Sequence, residues 1–578
     1  MGRLPARIQD VAARLRELSQ SHQEFLLLLA LFLSLRTSLM LISRPQGYLE
    51  DSSDYDFYLQ LGRMSDRGLY PDIHYWTEYP PVFPWIAVAA YKAAEALPTL
   101  GGNPILWLRL ALGGILLLFD VGNLVLVYGL GRTIHGPAGG LRGGWIYALL
   151  FTPLHVWLGW FDTMPLFFLL LGVALTVKGR RGAAALVSGF GFMVKMFPLL
   201  ALPVLLKMER RFWPRAKLVA LAALAIGLVA APFLLLAPQY LVASFRSVTA
   251  RSPWETLWAV GEGYFGYGRV APLQDRVDPS TASYMAYPSH LPWPAISLAF
   301  AALYLLLWSR RLDLQQPLKA VAFTGLTLNL FMFYSKGYSP QFLVYLVPFV
   351  LLVLPHLRAV GYLTVLSAIN LLEYPVYMVL FRDQDWVMRD LVLMRAAILL
   401  ILSWEYLAAL ELVPSLARAR RLAASGTVLA FVAWGVVTLP GAGQQWIRYS
   451  QQHDPNAALV DYLATSAGPR SVVVFTDQGL YRALYPYLYQ RTNLLLLDPT
   501  SDNRVASLSG AGRPAAPGGV DLPRRMEQLS WQYGEIFGVR QMNDSGGRRV
   551  ELLLAARNRL VTNRRVNDLN VTRWSTGR

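Results

Sequence analysis

The chain has 578 residues, 54% of them hydrophobic and 15% charged, with a mean hydropathy of +0.36, a balance that excludes a single water-soluble globule. Its formal net charge is +17, but the basic residues stand in short clusters between apolar runs, where they orient a chain across a bilayer, so no nucleic-acid partner is expected. No cysteine is present, which rules out disulfides, thiol catalysis and Cys-ligated metals.

Residues 1–23 carry Arg3, Arg7, Arg14 and Arg16 without a cleavage-site pattern and read as a cytoplasmic amphipathic helix, not a removed signal peptide. A first span follows at about 24 to 43, and the chain then enters an outer loop, 44–104. From Asp51 to Pro81 that loop reads DSSDYDFYLQLGRMSDRGLYPDIHYWTEYPP. Carboxylates beside a bilayer cost desolvation energy, so Asp51, Asp54 and Asp56 mark chemistry or binding, with a solvated surface loop as the plain alternative. Val82 to Leu97 is apolar but flanked by prolines, and is expected in or against the outer interface.

Further spans are predicted at roughly 105 to 131, 143 to 160, 162 to 177, 218 to 237, 293 to 309, 318 to 334, 340 to 356, 359 to 381, 391 to 413 and 426 to 441. Arg/Lys placement puts Arg132/Arg142, Lys178/Arg180/Arg181, Lys207/Arg210/Arg211, Arg310/Arg311 and Arg418/Arg420/Arg421 on the cytoplasmic side. Residues 183 to 206 are basic at both ends and carry Lys195 and Pro198 in the middle, so they are expected as a short hairpin whose tip holds Lys195 within the membrane. Counting its arms gives about thirteen membrane helices. This parity gathers the Asp54 loop, the turn at Asp162, the long loop 238–292, the turn at Lys336 and everything after 441 on one outer side. A transporter distributes its polar groups near mid-membrane in two related halves, and no internal repeat is evident.

Residues 442–578 change character, with short runs VVVF, LLLLD and VELLLAA between helical patterns, and predict a small extracytoplasmic α/β domain with a flexible tail. Ser507 to Gly519 reads as a loop or a disordered segment. No Gly-rich phosphate fingerprint follows a strand, so nucleotide binding has no support.

The motifs form an ordered set: Asp54-Tyr55-Asp56-Phe57-Tyr58, Gly68-Leu69-Tyr70-Pro71, Glu78-Tyr79-Pro80-Pro81, Gly159-Trp160-Phe161-Asp162, Lys195-Met196-Phe197-Pro198, Arg251-Ser252-Pro253-Trp254-Glu255 and Ser339-Pro340-Gln341-Phe342. Over about residues 24 to 410 the chain resembles the GT-C superfamily of membrane glycosyltransferases. It is most similar to the polyprenyl-phosphate-sugar-dependent bacterial and archaeal branch that includes the mycobacterial mannosyltransferases. Ser252 and Pro253 depart from the Gly and the acid or Gln usual there. The resemblance implies an all-α polytopic fold over 24–441 and transfer of a hexose, with mannose first and arabinose, glucose, galactose or aminoarabinose as the other sugars. The acceptor is a glycolipid, glycan or protein of the cell envelope, and the setting is the plasma (inner) membrane.

An outer site has no access to nucleotide sugars, so the sugar arrives on a lipid phosphate, the acceptor hydroxyl needs a base, and the leaving phosphate needs cations. Asp54, four residues before Tyr58 as in the family's loop acid, is the first base and Asp56 the second. Asp162 either caps a helix or lines the site. Only seven lysines stand among 53 basic residues; Lys195 and Lys336, with Arg251, are the candidates for the donor phosphate, against a snorkelling role for the lysines. Tyr58, Tyr79, Glu255 and Gln341 are candidates for substrate contact. The Asp54/Asp56 pair also suits a divalent cation, magnesium or manganese. Two other classes stay open: a lipid-linked saccharide flippase or transporter, and a membrane protein whose C-terminal domain binds or senses.

Overall fold

The computed structural model describes residues 21–42, 53–98, 106–382, 384–453, 457–477, 480, 481, 484, 487, 488, 492–497, 522–541, 544–566 and 569–577. Asp51, the loop Ser507 to Gly519 and nearly all of the helix expected over 1–23 lie outside them. The chain divides into two compact units, Met1–Thr438 and Leu439–Arg578.

The first unit is helical and multi-pass. Among the described residues, six helices are long and apolar enough to cross a membrane: Gln23–Ile42, Leu106–Leu149, Phe212–Leu236, His356–Leu380, Asp385–Ala409 and Ala417–Thr438. Thr163–Val177, Phe197–Met208, Trp293–Ser309 and Pro340–Val353 are shorter apolar helices. The 44 residues of Leu106–Leu149 make two arms, because Gly136 takes a φ of 76° ahead of Pro137. Glycine is required where the arms meet: a Cβ on Gly140 would lie 2.7 Å from the Tyr128 carbonyl oxygen. The span expected over 143 to 160 is interrupted at Leu150, whose extended ψ of 139° starts a new helix, Phe151–Gly159.

Residues 181–208 double back. Arg181–Phe192 is followed by a 3₁₀ turn, Phe197–Ala201, opened by Pro198, and by Leu202–Met208. Leu205 packs on Ala184 and Ala185 across the two arms, which leaves Lys195 at the bend. The two long loops then dock on each other. Trp76 buries its ring among Ala243, Ala271 and Ala282, its indole N–H donates to Thr281 Oγ1 at 2.9 Å, and its backbone N–H to the Arg276 carbonyl at 3.1 Å.

The second unit holds a five-stranded sheet in the order β2-β1-β3-β5-β4, formed by β1 (Ser471–Phe475), β2 (Asn493–Leu496), β3 (Glu535–Gln541), β4 (Arg559–Val566) and β5 (Leu569–Ser575). β1 runs parallel to β2 and β3, while β5 is antiparallel to β3 and β4. Its two faces bury separate cores, Leu459, Leu463 and Phe537 on one and Met526, Leu529 and Leu554 on the other. Residues 559–566 and 569–575, expected within a flexible tail, are the paired strands β4 and β5: Val571 and Trp574 are buried and hold the Arg- and Asn-rich strand beside them in register.

Candidate functional site

A cavity of about 1120 Å³ is lined by the loops after the first span, the Lys195 bend, the 251–272 segment and the 335–342 turn. Asp54 stands on its wall as the residue before the helix Tyr55–Asp66, and its backbone N–H donates to the Gly159 carbonyl at 3.1 Å. The Tyr79 hydroxyl donates to Asp54 Oδ2 at 3.3 Å. Burial, reinforced by the charge of Glu78, pushes the Asp54 carboxyl up to about 7, while the Lys195 ammonium pulls it the other way.

Asp162 is fully buried, and its Oδ1 accepts from Lys195 Nζ at 2.7 Å and from the Tyr345 hydroxyl at 2.6 Å. Its side chain makes no cap to the helix Thr163–Val177. The Lys195 ammonium lies 4.8 Å from the Phe161 ring, 5.0 Å from Phe342 and 5.4 Å from Tyr79, so three aromatic rings and one carboxylate hold it at the cavity wall. Lys195 is therefore ion-paired at the wall, not snorkelling.

A second charged group forms around Glu78. Arg251 Nη2 donates to Glu78 Oε2 at 2.7 Å, and Arg276 Nη2 lies 3.7 Å from Oε1. Burial alone would raise Glu78; the two guanidinium groups outweigh it and hold the carboxyl below its ordinary range. Arg251 also lies 4.8 Å over Trp254, and both Arg251 Nε and Arg276 Nη1 are buried without a hydrogen-bond partner among the described residues. Lys336 lines the cavity, donates to the Thr249 carbonyl at 2.7 Å and lies 4.9 Å from Trp293. Burial lowers its pKa. Glu255 and Gln341 line the cavity as well.

Two expected residues are placed elsewhere. Asp56 is exposed and does not line the cavity, because two residues along a helix turn a side chain to the opposite side from Asp54. Tyr58 is fully buried, 4.8 Å from Phe83 and 5.6 Å from Tyr55, so it supports the wall and touches no cavity space. The residues also do not fit a divalent cation: among those described, no three His, Asp or Glu converge. Asp54 and Asp56 point apart, Glu78 faces arginines and Asp162 faces Lys195. Glu78, Tyr345, Arg276 and Trp254 join the site without having been named as site residues; Glu78 and Trp254 had a sequence signal, their places in the Glu-Tyr-Pro-Pro and Arg-Ser-Pro-Trp-Glu motifs.

Trp254 is wedged against glycine. It exchanges backbone hydrogen bonds with Lys336 and Tyr338 at 3.2 and 3.1 Å, and a Cβ on Gly337 would meet its ring at 2.1 Å. Gly337→Ala is expected to displace the indole and lower stability by about 1–3 kcal/mol, read as a lower thermal midpoint.

Residues 77–335 match the family model for Glycosyltransferase family 87. The match spans Glu78, Tyr79, Asp162, Lys195, Arg251 and Glu255, and it supports the class that the motifs resemble, a membrane glycosyltransferase of GT-C type. Crystal structures of ArnT from Cupriavidus metallidurans, in the apo state and bound to undecaprenyl phosphate, are similar at 15% identity over 94% of this chain and 97% of that one, with TM-scores of 0.37 and 0.36. At these scores the likeness carries no argument. No curated protein matches the chain in sequence.

Proposed function

We propose that this protein transfers a hexose, mannose first among the candidates, from a polyprenyl-phosphate donor to a glycolipid, glycan or protein acceptor of the cell envelope. The setting is the extracytoplasmic side of the plasma (inner) membrane. The observation that carries the reading is one cavity holding a carboxyl whose pKa lies at about 7 together with Lys195, Arg251 and Lys336. A carboxyl poised near neutrality is matched to take a proton at operating pH.

In this reading the Asp54 carboxylate removes the acceptor hydroxyl proton while the acceptor oxygen attacks the anomeric carbon from the face opposite the phosphate. The bond from that carbon to the phosphate oxygen breaks, the configuration inverts, and the electron pair leaves on the lipid phosphate. Arg251 and Lys336 neutralise that charge; the unpartnered Arg251 Nε supports an anion there. Lys195 pairs with Asp162 and biases Asp54 toward its ionised form. Tyr79 orients Asp54 through its hydroxyl, and Gln341 and Glu255 are placed for sugar contacts.

Lys336→Ala tests the phosphate assignment. It is expected to raise the donor KM by about tenfold, the worth of one charge-assisted hydrogen bond, with a smaller change in kcat. Unchanged steady-state kinetics on a polyprenyl-phosphate-mannose donor would remove Lys336 from that role.

A further inference from the structure

Asp72 is fully buried where the turn 70–75 of the first long loop meets the helix Pro238–Ala250 of the second. Its backbone takes a φ of 60°, in the left-handed region that residues with a Cβ seldom occupy, and its N–H donates to the Tyr75 carbonyl at 2.8 Å. Among the described residues its Oδ2 has no hydrogen-bond partner and no cation pairs with the carboxyl.

The one contact of its side chain crosses between the loops. Ser244 Oγ lies 2.9 Å from Asp72 Oδ1 and 3.1 Å from the Tyr240 carbonyl oxygen, and it accepts from the Thr77 N–H at 3.3 Å. A hydroxyl has one proton to give and room to accept two. With a proton on Asp72, the carboxyl donates to Ser244 Oγ, Thr77 fills the second lone pair, and the Ser244 proton goes to Tyr240. Every contact is then used. With Asp72 ionised, the single Ser244 proton turns to Oδ1, the Tyr240 contact lapses, and a buried negative charge stands without a cation.

The neighbouring groups leave that proton count intact. Tyr75 has a buried hydroxyl without a partner among the described residues, and burial together with the Asp72 charge pushes it up, so it keeps its proton. His74 Nδ1 accepts from the Tyr70 N–H at 3.0 Å. Arg276, in the 3₁₀ turn Leu273–Val277, acts on Tyr75 but is engaged by the Ala271 carbonyl at 2.8 Å and by Glu78. Arg246, on the helix that carries Ser244, is exposed. Burial raises the Asp72 carboxyl to about 8 against the pull of the Ser244 hydrogen bond.

Both loops carry charged groups of the cavity. Glu78 follows Thr77 directly, Arg251 follows the helix Pro238–Ala250, and Ser244 lines the cavity itself.

We propose that Asp72 and Ser244 form a proton-operated latch between the two long loops. With Asp72 protonated the loops lock and Glu78 is held on Arg251 and Arg276; loss of the proton lets the loops part. The latch involves no sugar chemistry, so it stands apart from the transferase reading. A carboxyl at about 8 when docked and near 3.8 when released binds more protons in the docked state. Docking therefore weakens as pH rises through that interval, by up to about tenfold per unit, and is level above it.

The test is amide hydrogen exchange of the full-length, detergent-solubilised protein between about pH 5 and 9. It is read at Trp76 and Thr77, whose N–H groups cross to the Arg276 carbonyl and to Ser244 Oγ. Comparing proteins at equal pH cancels the intrinsic chemistry of exchange and every titration they share. Asp72→Asn supplies a permanent amide donor and tolerates the positive φ. Wild-type protection relative to Asp72→Asn should fall by up to about tenfold per pH unit from about pH 5 to 8, then level off. Asp72→Gly relaxes the φ but removes the hydrogen bond, and should leave both amides poorly protected at every pH. If that variant fails to fold, the ratio of wild type to Asp72→Asn decides alone. A ratio that stays flat across the window overturns the latch. So does loss of protection in Asp72→Asn, because the anion would then be the working form. Transfer is scored separately: a pH-dependent latch in a protein that forms no product would sink the transferase reading and leave this assignment standing.

Discussion

Asp54→Asn is expected to lower kcat by about 10²–10⁴-fold, the usual contribution of a positioned general base, with the protein still folded. The amide keeps the size of the side chain and an acceptor for the Tyr79 hydroxyl, but takes no proton. The pH profile carries the same claim. Because Asp54 must be ionised to act and its pKa is raised to about 7, wild-type kcat/KM should fall about tenfold per pH unit below that value, and the variant should lose this limb. The sign for stability is opposite. A carboxyl raised from 3.8 to about 7 on folding binds more protons in the folded state over that interval, so its contribution to stability falls as pH rises through it. Denaturation of wild type and Asp54→Asn across that window should show the variant with the flatter profile.

Asp162→Ala is expected to destabilise the protein by about 3–5 kcal/mol, the cost of stranding a buried charge. Lys195 would keep its aromatic cage of Phe161, Phe342 and Tyr79 but lose the carboxylate it pairs with. Asp162→Asn combined with Lys195→Met, which removes both charges at similar volume, should recover much of that loss, and thermal unfolding of the three proteins checks it. A midpoint for Asp162→Ala indistinguishable from wild type would mean that the pair does not hold the Lys195 bend. Activity separates the two roles: the double variant should fold yet turn over slowly, because no ammonium then biases Asp54 toward its ionised form.

Most of the helices were legible because an apolar run of membrane length has one way to satisfy its backbone. The reversal at Lys195 was legible from two opposed signals, basic residues at both ends and Pro198 in the middle. The break at Leu150 was not, since it lies inside a continuous apolar run and comes from one extended residue. Within the site, Asp54 could be read from its place after the first span, and Asp56 was misjudged because adjacency in sequence says nothing of the 200° that separates alternate side chains on a helix. The Glu78–Arg251–Arg276 and Asp72–Ser244 groups were hidden for a different reason. Their members are 173 residues apart from Glu78 to Arg251 and 172 from Asp72 to Ser244, and only the docking of the two loops brings them together. The hairpin at the C-terminus was missed because β4 is exposed along most of its length and takes its order from pairing with β5, not from its own composition.

The central claim is that a glycosidic bond is made at this cavity with Asp54 as base. It is tested most directly by incubating the purified protein with polyprenyl-phosphate donors carrying a labelled sugar and a cell-envelope lipid and glycan extract as acceptor, then following label and anomeric configuration by mass spectrometry and NMR. The account predicts a new glycosidic product, inverted at the anomeric carbon, formed by the wild type and lost in Asp54→Asn. Label that binds or crosses the membrane without a new bond, a retained configuration, or equal product from Asp54→Asn would contradict it.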